Sequence, residues 1–199
     1  HFVSTVAEGV RMLEQVKSKF KKEKKKWLDL LKKEFIQDIK PKIDSDKINL
    51  SKIFSTLSNE INLPSIITLD AGNHTGWPQR FISYGNKIKQ VGSTCGCMGY
   101  SIPAAISASL QYPEKKVISI VGDGGFMMTG MEIMTAIQYK INLIVLIINN
   151  NSFGTIKMHQ EIKFPKRSFS TSIKNPDFVL LAKSMGALGK RVNKTDDFL

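Results

Sequence analysis

Two short segments carry the residues best suited to chemistry, Gly122-Asp123-Gly124-Gly125 and Asn149-Asn150-Asn151. Each directly follows an apolar run, Val117 to Val121 and Leu143 to Ile148, and twenty-four residues lie between Gly124 and Asn149. That interval is one helical crossover, which returns the chain to a neighbouring parallel strand and sets both turns on the same edge of a sheet. Glycines at such an edge let backbone N–H groups approach phosphate oxygens, and the following helix offers its positive end. The Asp carboxylate and an Asn amide oxygen are hard donors, suited to a Mg²⁺ that also takes two phosphate oxygens. Either segment alone is an ordinary polar turn. Together they read as a place for a metal-bound diphosphate.

This conjunction resembles the cofactor motif of the thiamine-diphosphate (ThDP) enzymes. The likeness runs from about Asn49 to Leu199. It takes in Asp70-Ala71-Gly72-Asn73-His74, Gly96-Cys97-Met98-Gly99-Tyr100 with Pro103-Ala104-Ala105, and Gly154-Thr155-Ile156-Lys157-Met158-His159-Gln160. The set looks most like acetolactate synthase large subunits. The resemblance implies that Asp123, the Asn150 side chain and the Ser152 main-chain carbonyl bind Mg²⁺. By the same resemblance Asn73, His74, Gly122, Gly124 and Gly125 line the diphosphate, the Gly96 carbonyl meets the aminopyrimidine, and Met98 supports the bent cofactor. It further implies that 2-oxo acids such as pyruvate are condensed with decarboxylation, the cofactor supplying the electron sink and the protein the geometry and electrostatics.

The chain also departs from that pattern. ThDP enzymes take a glutamate for the pyrimidine from a separate domain, usually of a neighbouring subunit, and no stretch here resembles that domain. The resemblance therefore implies a homodimer or a pairing with a pyrimidine-binding domain, and no catalytic residue is expected in this chain. Glu132, the acid nearest the motif, reads as a surface or packing residue. The chain begins at His1 and stops before the final strand and helix of the family's domain, so a piece of a longer protein or the product of a broken gene is expected. Two functions stay open: part of an acetolactate synthase-like transferase, or of a related 2-oxo acid decarboxylase or lyase; and a non-catalytic remnant. His159 stands where biosynthetic acetolactate synthases carry a tryptophan that helps choose the acceptor, and a substrate role and a plain surface role are equally open. Cys95 and Cys97 flank Gly96; small buried packing residues are expected, a reactive thiol being the alternative.

The elements that must position these residues alternate. The pattern predicts a helix over 51–61, a strand over 65–69 and a helix over 98–110 with Pro103 in its first turns. Buried strands follow over 117–121 and 143–148, joined by a helix over 128–139. Asn175-Pro176-Asp177 predict an N-cap, a first-turn proline and a first-turn acid, Gly186 a helix end, 187–192 a strand, and 196–199 the first turn of a helix. The alternation predicts an α/β fold, a three-layer sandwich with a mostly parallel sheet and the ligand at the carboxyl ends of the strands, and the resemblance implies that it is incomplete at its C-terminal end. Residues 5–40 predict a helix and 41–47 a linker. With the family resemblance this implies that residues 1–47 are a lysine-rich helical linker from a preceding domain and 48–199 the cofactor domain, truncated.

Composition narrows the partners. The net charge is +12, but seven lysines fall between Lys17 and Lys26, so the charge reads as a solvated helix face and no nucleic-acid partner is expected. No membrane role is expected either, since the run from Leu143 to Ile148 is far shorter than a span. The N-terminal stretch lacks the apolar core of a signal peptide. Two cysteines one residue apart are too tight for an ordinary disulfide framework and lack the second pair of a structural zinc site. Reduced thiols in a cytoplasmic protein are expected.

Overall fold

The computed structural model describes residues 21–41 and 48–198, and the chain divides into two compact units, 1–40 and 41–199. The first contributes helix α1 (Lys21–Asp38). The expectations for residues 5–20 and for the linker at 42–47 lie outside the described residues, as does Leu199.

The second unit is built on strands β1 (Ser65–Leu69), β2 (Ile88–Gly92), β3 (Lys116–Gly122) and β4 (Leu143–Ile148), all parallel and in the order β2-β1-β3-β4. Helices α2 (Leu50–Glu60), α3 (Gly76–Phe81), α4 (Ser101–Gln111), α5 (Asp123–Thr129), α6 (Ile133–Gln138), α7 (Gly154–Lys163) and α8 (Phe178–Ser184) surround it. Successive side chains of a strand point to opposite faces. On β3, Ile118 and Ile120 therefore join Ile67, Leu69 and Phe54 in one core, while Val117 and Val121 pack the other way, against Ala105, Ile102 and Phe126. Both faces of the sheet are covered, which makes the unit a three-layer α/β sandwich. Full burial of a side chain such as Phe54 or Ile67 contributes about 1.5–3 kcal/mol.

A buried polar spine ties α4 to the middle of the sheet. Thr68 Oγ1 donates to the Ser101 carbonyl at 2.8 Å, Ser101 Oγ donates to the Thr68 carbonyl at 2.9 Å, and Ser101 Oγ lies 2.6 Å from Ser119 Oγ. Buried hydroxyls left unpaired would each cost about 1–3 kcal/mol, so this spine fixes where α4 starts. The loop ahead of α4 is thereby held above the strand ends.

Several sequence expectations are corrected. The helix expected from Met98 begins at Ser101, because Gly99 takes φ +81° and turns the chain first. Pro103 is then the third helical residue, where no intrahelical N–H bond is lost. The crossover expected as one helix over 128–139 is two. α5 begins at Asp123 itself, and a 3₁₀ turn at Gly130–Glu132 separates it from α6. Gly130 allows this break because the Phe126 ring lies where a Cβ would be, 2.6 Å from Phe126 Cε1. β4 is an edge strand with half-exposed side chains, Ile144 among its exposed ones, rather than a strand buried on both sides. β2 was not legible in the sequence; its Ile-Lys-Gln-Val-Gly run owes its state to pairing with β1.

The expected strand over 187–192 is absent among the described residues. That segment packs back on α8, where a Cβ on Gly189 would stand 3.1 Å from Val179 Cα. The last turn is a short 3₁₀ turn at Thr195–Asp197. The N-cap of α8 is Asp177, which accepts from the N–H groups of Val179 and Leu180, not Asn175. Gly186, at φ +83°, closes α8 in a Schellman turn, with Ala187 N–H donating to the Ala182 carbonyl and Gly186 N–H to that of Lys183.

Candidate cofactor-binding site

The carboxyl ends of β1, β3 and β4 open into one groove of about 210 Å³. Asn73, His74, Gly96, Met98, Gly122, Asp123, Gly124, Gly125, Asn150 and Ser152 all line it. His159 does not; it is exposed on α7. Glu132 is exposed as well and accepts a hydrogen bond from Thr135 Oγ1 at 2.8 Å.

The strand-to-helix turn after β3 is tight because its glycines are closely approached. A Cβ on Gly124 would meet Phe153 Cε1 at 2.6 Å, and one on Gly125 would fall on Asp70 Oδ2. Asp70 is buried at the end of β1, and its Oδ1 accepts from the Tyr100 N–H at 2.8 Å, which ties the loop ahead of α4 to the same edge. Asp123 is 2% exposed. Its Oδ1 accepts from Gly124 N–H at 3.0 Å, and its Oδ2 from Asn175 Nδ2 at 2.7 Å.

After β4 the chain makes two overlapping side-chain turns. Asn149 Oδ1 accepts from Asn151 N–H at 3.1 Å and Asn150 Oδ1 from Ser152 N–H at 2.9 Å. Asn151 sits at φ +54°, a left-handed conformation that asparagine tolerates better than most residues. Thr155 Oγ1 donates to Asn73 Oδ1 at 2.8 Å and so joins the N-terminus of α7 to the turn after β1. Asp70, Phe153, Thr155 and Asn175 are among the site residues to which the sequence assigned no role. Asn175 had no usable signal, since its position in Asn-Pro-Asp reads equally well as a helix cap.

Among the described residues lining the groove, His74 has a buried nitrogen, Nε2, without a hydrogen-bond partner, and beside the groove so do Asp70 Oδ2 and Asn175 Oδ1 lack one. Burial pushes the His74 pKa below the ordinary value, against the smaller opposing pull of Asp70 and Asp123. A neutral imidazole carries its proton on only one of its two ring nitrogens, so His74 can serve as donor or acceptor. Among the described residues no lysine or arginine lines the groove. Its residues therefore offer oxygen donors, backbone N–H groups and one imidazole, which fits a diphosphate that brings its own divalent cation.

Residues 70–199 match the family described as thiamine pyrophosphate enzyme, C-terminal TPP binding domain. The chain belongs to that family. It is 41% identical over 132 residues to mitochondrial acetolactate synthase of Schizosaccharomyces pombe, a match covering 66% of this chain and 20% of that protein. It is 30% identical over 203 residues to the acetolactate synthase large subunit of Buchnera aphidicola subsp. Schizaphis graminum, covering 98% of this chain and 36% of that protein. The thiamine diphosphate-dependent 4-hydroxybenzoylformate decarboxylase of Rhodococcus jostii RHA1 shares the fold. Its TM-score is 0.73 at 22% identity, over 80% of this chain and 30% of that one. The chain thus matches between a fifth and about a third of the length of these acetolactate synthases. No helix among the described residues is long and apolar enough to cross a membrane.

Proposed function

We propose that the chain holds ThDP in this groove through one Mg²⁺, as part of an acetolactate synthase-like enzyme that condenses 2-oxo acids such as pyruvate with loss of CO₂. The observation that carries this reading is the pairing of a buried carboxylate, Asp123, with a groove that no lysine or arginine among the described residues lines. An anionic diphosphate beside that carboxylate needs a counter-charge, and a divalent cation between them supplies it. Among the described residues no three His, Cys, Asp or Glu side chains cluster to hold a metal alone. Asp123, the Asn150 side chain and the Ser152 carbonyl would fill part of the ion's shell, and phosphate oxygens the rest.

When bound, ThDP supplies the electron sink for 2-oxo acid decarboxylation. The residues of this chain orient it. Asn73, His74 and the backbone at Gly122, Gly124 and Gly125 take the diphosphate end, while Gly96 and Met98 serve the pyrimidine end. His159, outside the groove, is given no cofactor role. The glutamate for the pyrimidine would come from a pyrimidine-binding domain on a second copy or a separate segment. Met127, Met128, Met131 and Met134, exposed along α5, the 3₁₀ turn at Gly130–Glu132 and α6, offer such a domain an apolar surface. The two free, exposed thiols suit a reducing compartment such as the cytoplasm.

Calorimetry of ThDP binding with Mg²⁺ and with EDTA tests the metal role. Binding is expected only with Mg²⁺ and is lost in Asp123→Ala; equal affinity in both conditions would overturn it. Acetolactate and CO₂ release from pyruvate tests the partner role, with turnover expected only after a pyrimidine-binding domain is added. Clear acetolactate formation by the chain alone would contradict it.

A further inference from the structure

The loop from β2 to α4 carries a second chemical constellation that cofactor binding does not use. Cys95 and Cys97 are both free and exposed rather than buried as packing residues. One hydroxyl serves both: Ser93 Oγ lies 3.2 Å from Cys95 Sγ and 3.0 Å from Cys97 Sγ, and it accepts from Cys97 N–H at 3.3 Å. Between them Gly96 takes φ +65°, with open space where a Cβ would stand. The left-handed turn at Gly96 thus leaves the two sulfurs converging on one oxygen.

We propose that Cys95 and Cys97 form a thiol–disulfide exchange site for small-molecule disulfides, with Cys95 as the attacking and Cys97 as the resolving thiol. Hydrogen bonds from Ser93 and then from Cys97 hold the Cys95 pKa below the ordinary thiol value, which raises its thiolate fraction near neutral pH. The Cys95 thiolate attacks one sulfur of the small disulfide RSSR, forming a Cys95–S–S–R bond as the S–S bond of the reagent breaks and RS⁻ leaves. Cys97 gives its proton to solvent, and its thiolate attacks Cys95 Sγ, expelling the second RS⁻. Both thiolates leaving as RSH, the dithiol is oxidised by two electrons and RSSR is reduced to two RSH. A ring closed through a single glycine is strained and exposed, and disulfides of that kind are labile and readily reversed. The assignment does not depend on what the groove binds.

The reduced full chain is incubated with oxidised glutathione and followed by intact mass and free-thiol content. The expected course is loss of two hydrogen masses, both thiols disappearing together without a lasting adduct, and full recovery with dithiothreitol. Cys97→Ser is expected to stop as a glutathione adduct on Cys95, and Ser93→Ala to react several-fold more slowly. Adducts accumulating on both cysteines of the unmodified chain, disulfide-linked dimers as the main product, or closure no faster than in the urea-unfolded chain would each overturn the proposal. These readouts use the unmodified chain, so a variant that fails to fold leaves them intact.

Discussion

Asn175 donates through Nδ2 to Asp123 Oδ2 at 2.7 Å, although the two residues lie 52 positions apart. The same amide nitrogen is 3.0 Å from Asn149 Oδ1 and 3.1 Å from Asn151 Oδ1. One side chain therefore bridges the turn after β3 and the turn after β4, the two segments that must act together on a metal-bound diphosphate. Groups that orient a metal's ligands without touching the metal are commonly worth about 10–100-fold in affinity. Asn175→Ala is expected to weaken Mg²⁺-dependent ThDP binding by a factor in that range while leaving the far-ultraviolet circular dichroism unchanged. Unaltered affinity in calorimetry would make Asn175 a brace for its own loop and nothing more.

Met98 and the diphosphate turn belong to different segments, so the two ends of the cofactor are expected to be separable. Met98→Ala should lower affinity for ThDP and leave that for Mg²⁺-diphosphate nearly unchanged. Competition calorimetry with both ligands measures this, and an equal fall for both would assign Met98 to packing alone.

Gly125 and Gly124 differ in what a methyl group would meet. At Gly125 it collides with the buried carboxylate of Asp70, which is held by Tyr100 N–H; at Gly124 it meets the ring of Phe153. Overpacking a tight site costs about 1–3 kcal/mol, and the cost falls where the neighbour can turn away. Gly125→Ala is expected at the upper end of that range and Gly124→Ala at the lower, as read from urea midpoints. The reverse order would show that the Asp70 carboxylate moves more freely than the ring.

His74 links stability to pH. Burial lowers its folded-state pKa below the unfolded value of 6.5, so the unfolded chain takes up the proton more readily. Its contribution is therefore full at higher pH and is lost as pH falls through about 6.5 toward the folded value. Between about pH 7.5 and 5.5 the urea midpoint of the wild type is expected to drop more than that of His74→Gln. A wild-type drop no larger than the variant's would remove the histidine from the account.

The place of the groove was largely legible in the sequence because it is marked by residue types at short range. Glycine beside aspartate after a β-branched run, and asparagines one crossover later, dictate a strand edge whatever else the chain does. Asp123, Gly124 and Asn150 accordingly meet in one groove, which the residues implied by the family resemblance, Asn73, His74, Gly96, Met98 and Ser152 among them, also line. Element boundaries near that edge were not legible, since they depend on contacts across the fold. The Thr68–Ser101–Ser119 hydroxyls set where α4 starts, the Phe126 ring against Gly130 splits the crossover helix, and β2 exists because β1 offers it a backbone to pair with. The same physical reason separates the two local surprises. Asn175 looks like a cap in sequence because Asn-Pro-Asp is a good helix start, yet Asp177 does the capping and frees the Asn175 amide for Asp123. Cys95 and Cys97 look like small packing residues, yet the turn at Gly96 leaves both in solvent on one serine hydroxyl. Periodicity and residue chemistry are local properties and survive in the sequence alone, whereas a hydrogen bond across 52 positions exists only once packing has brought its partners together.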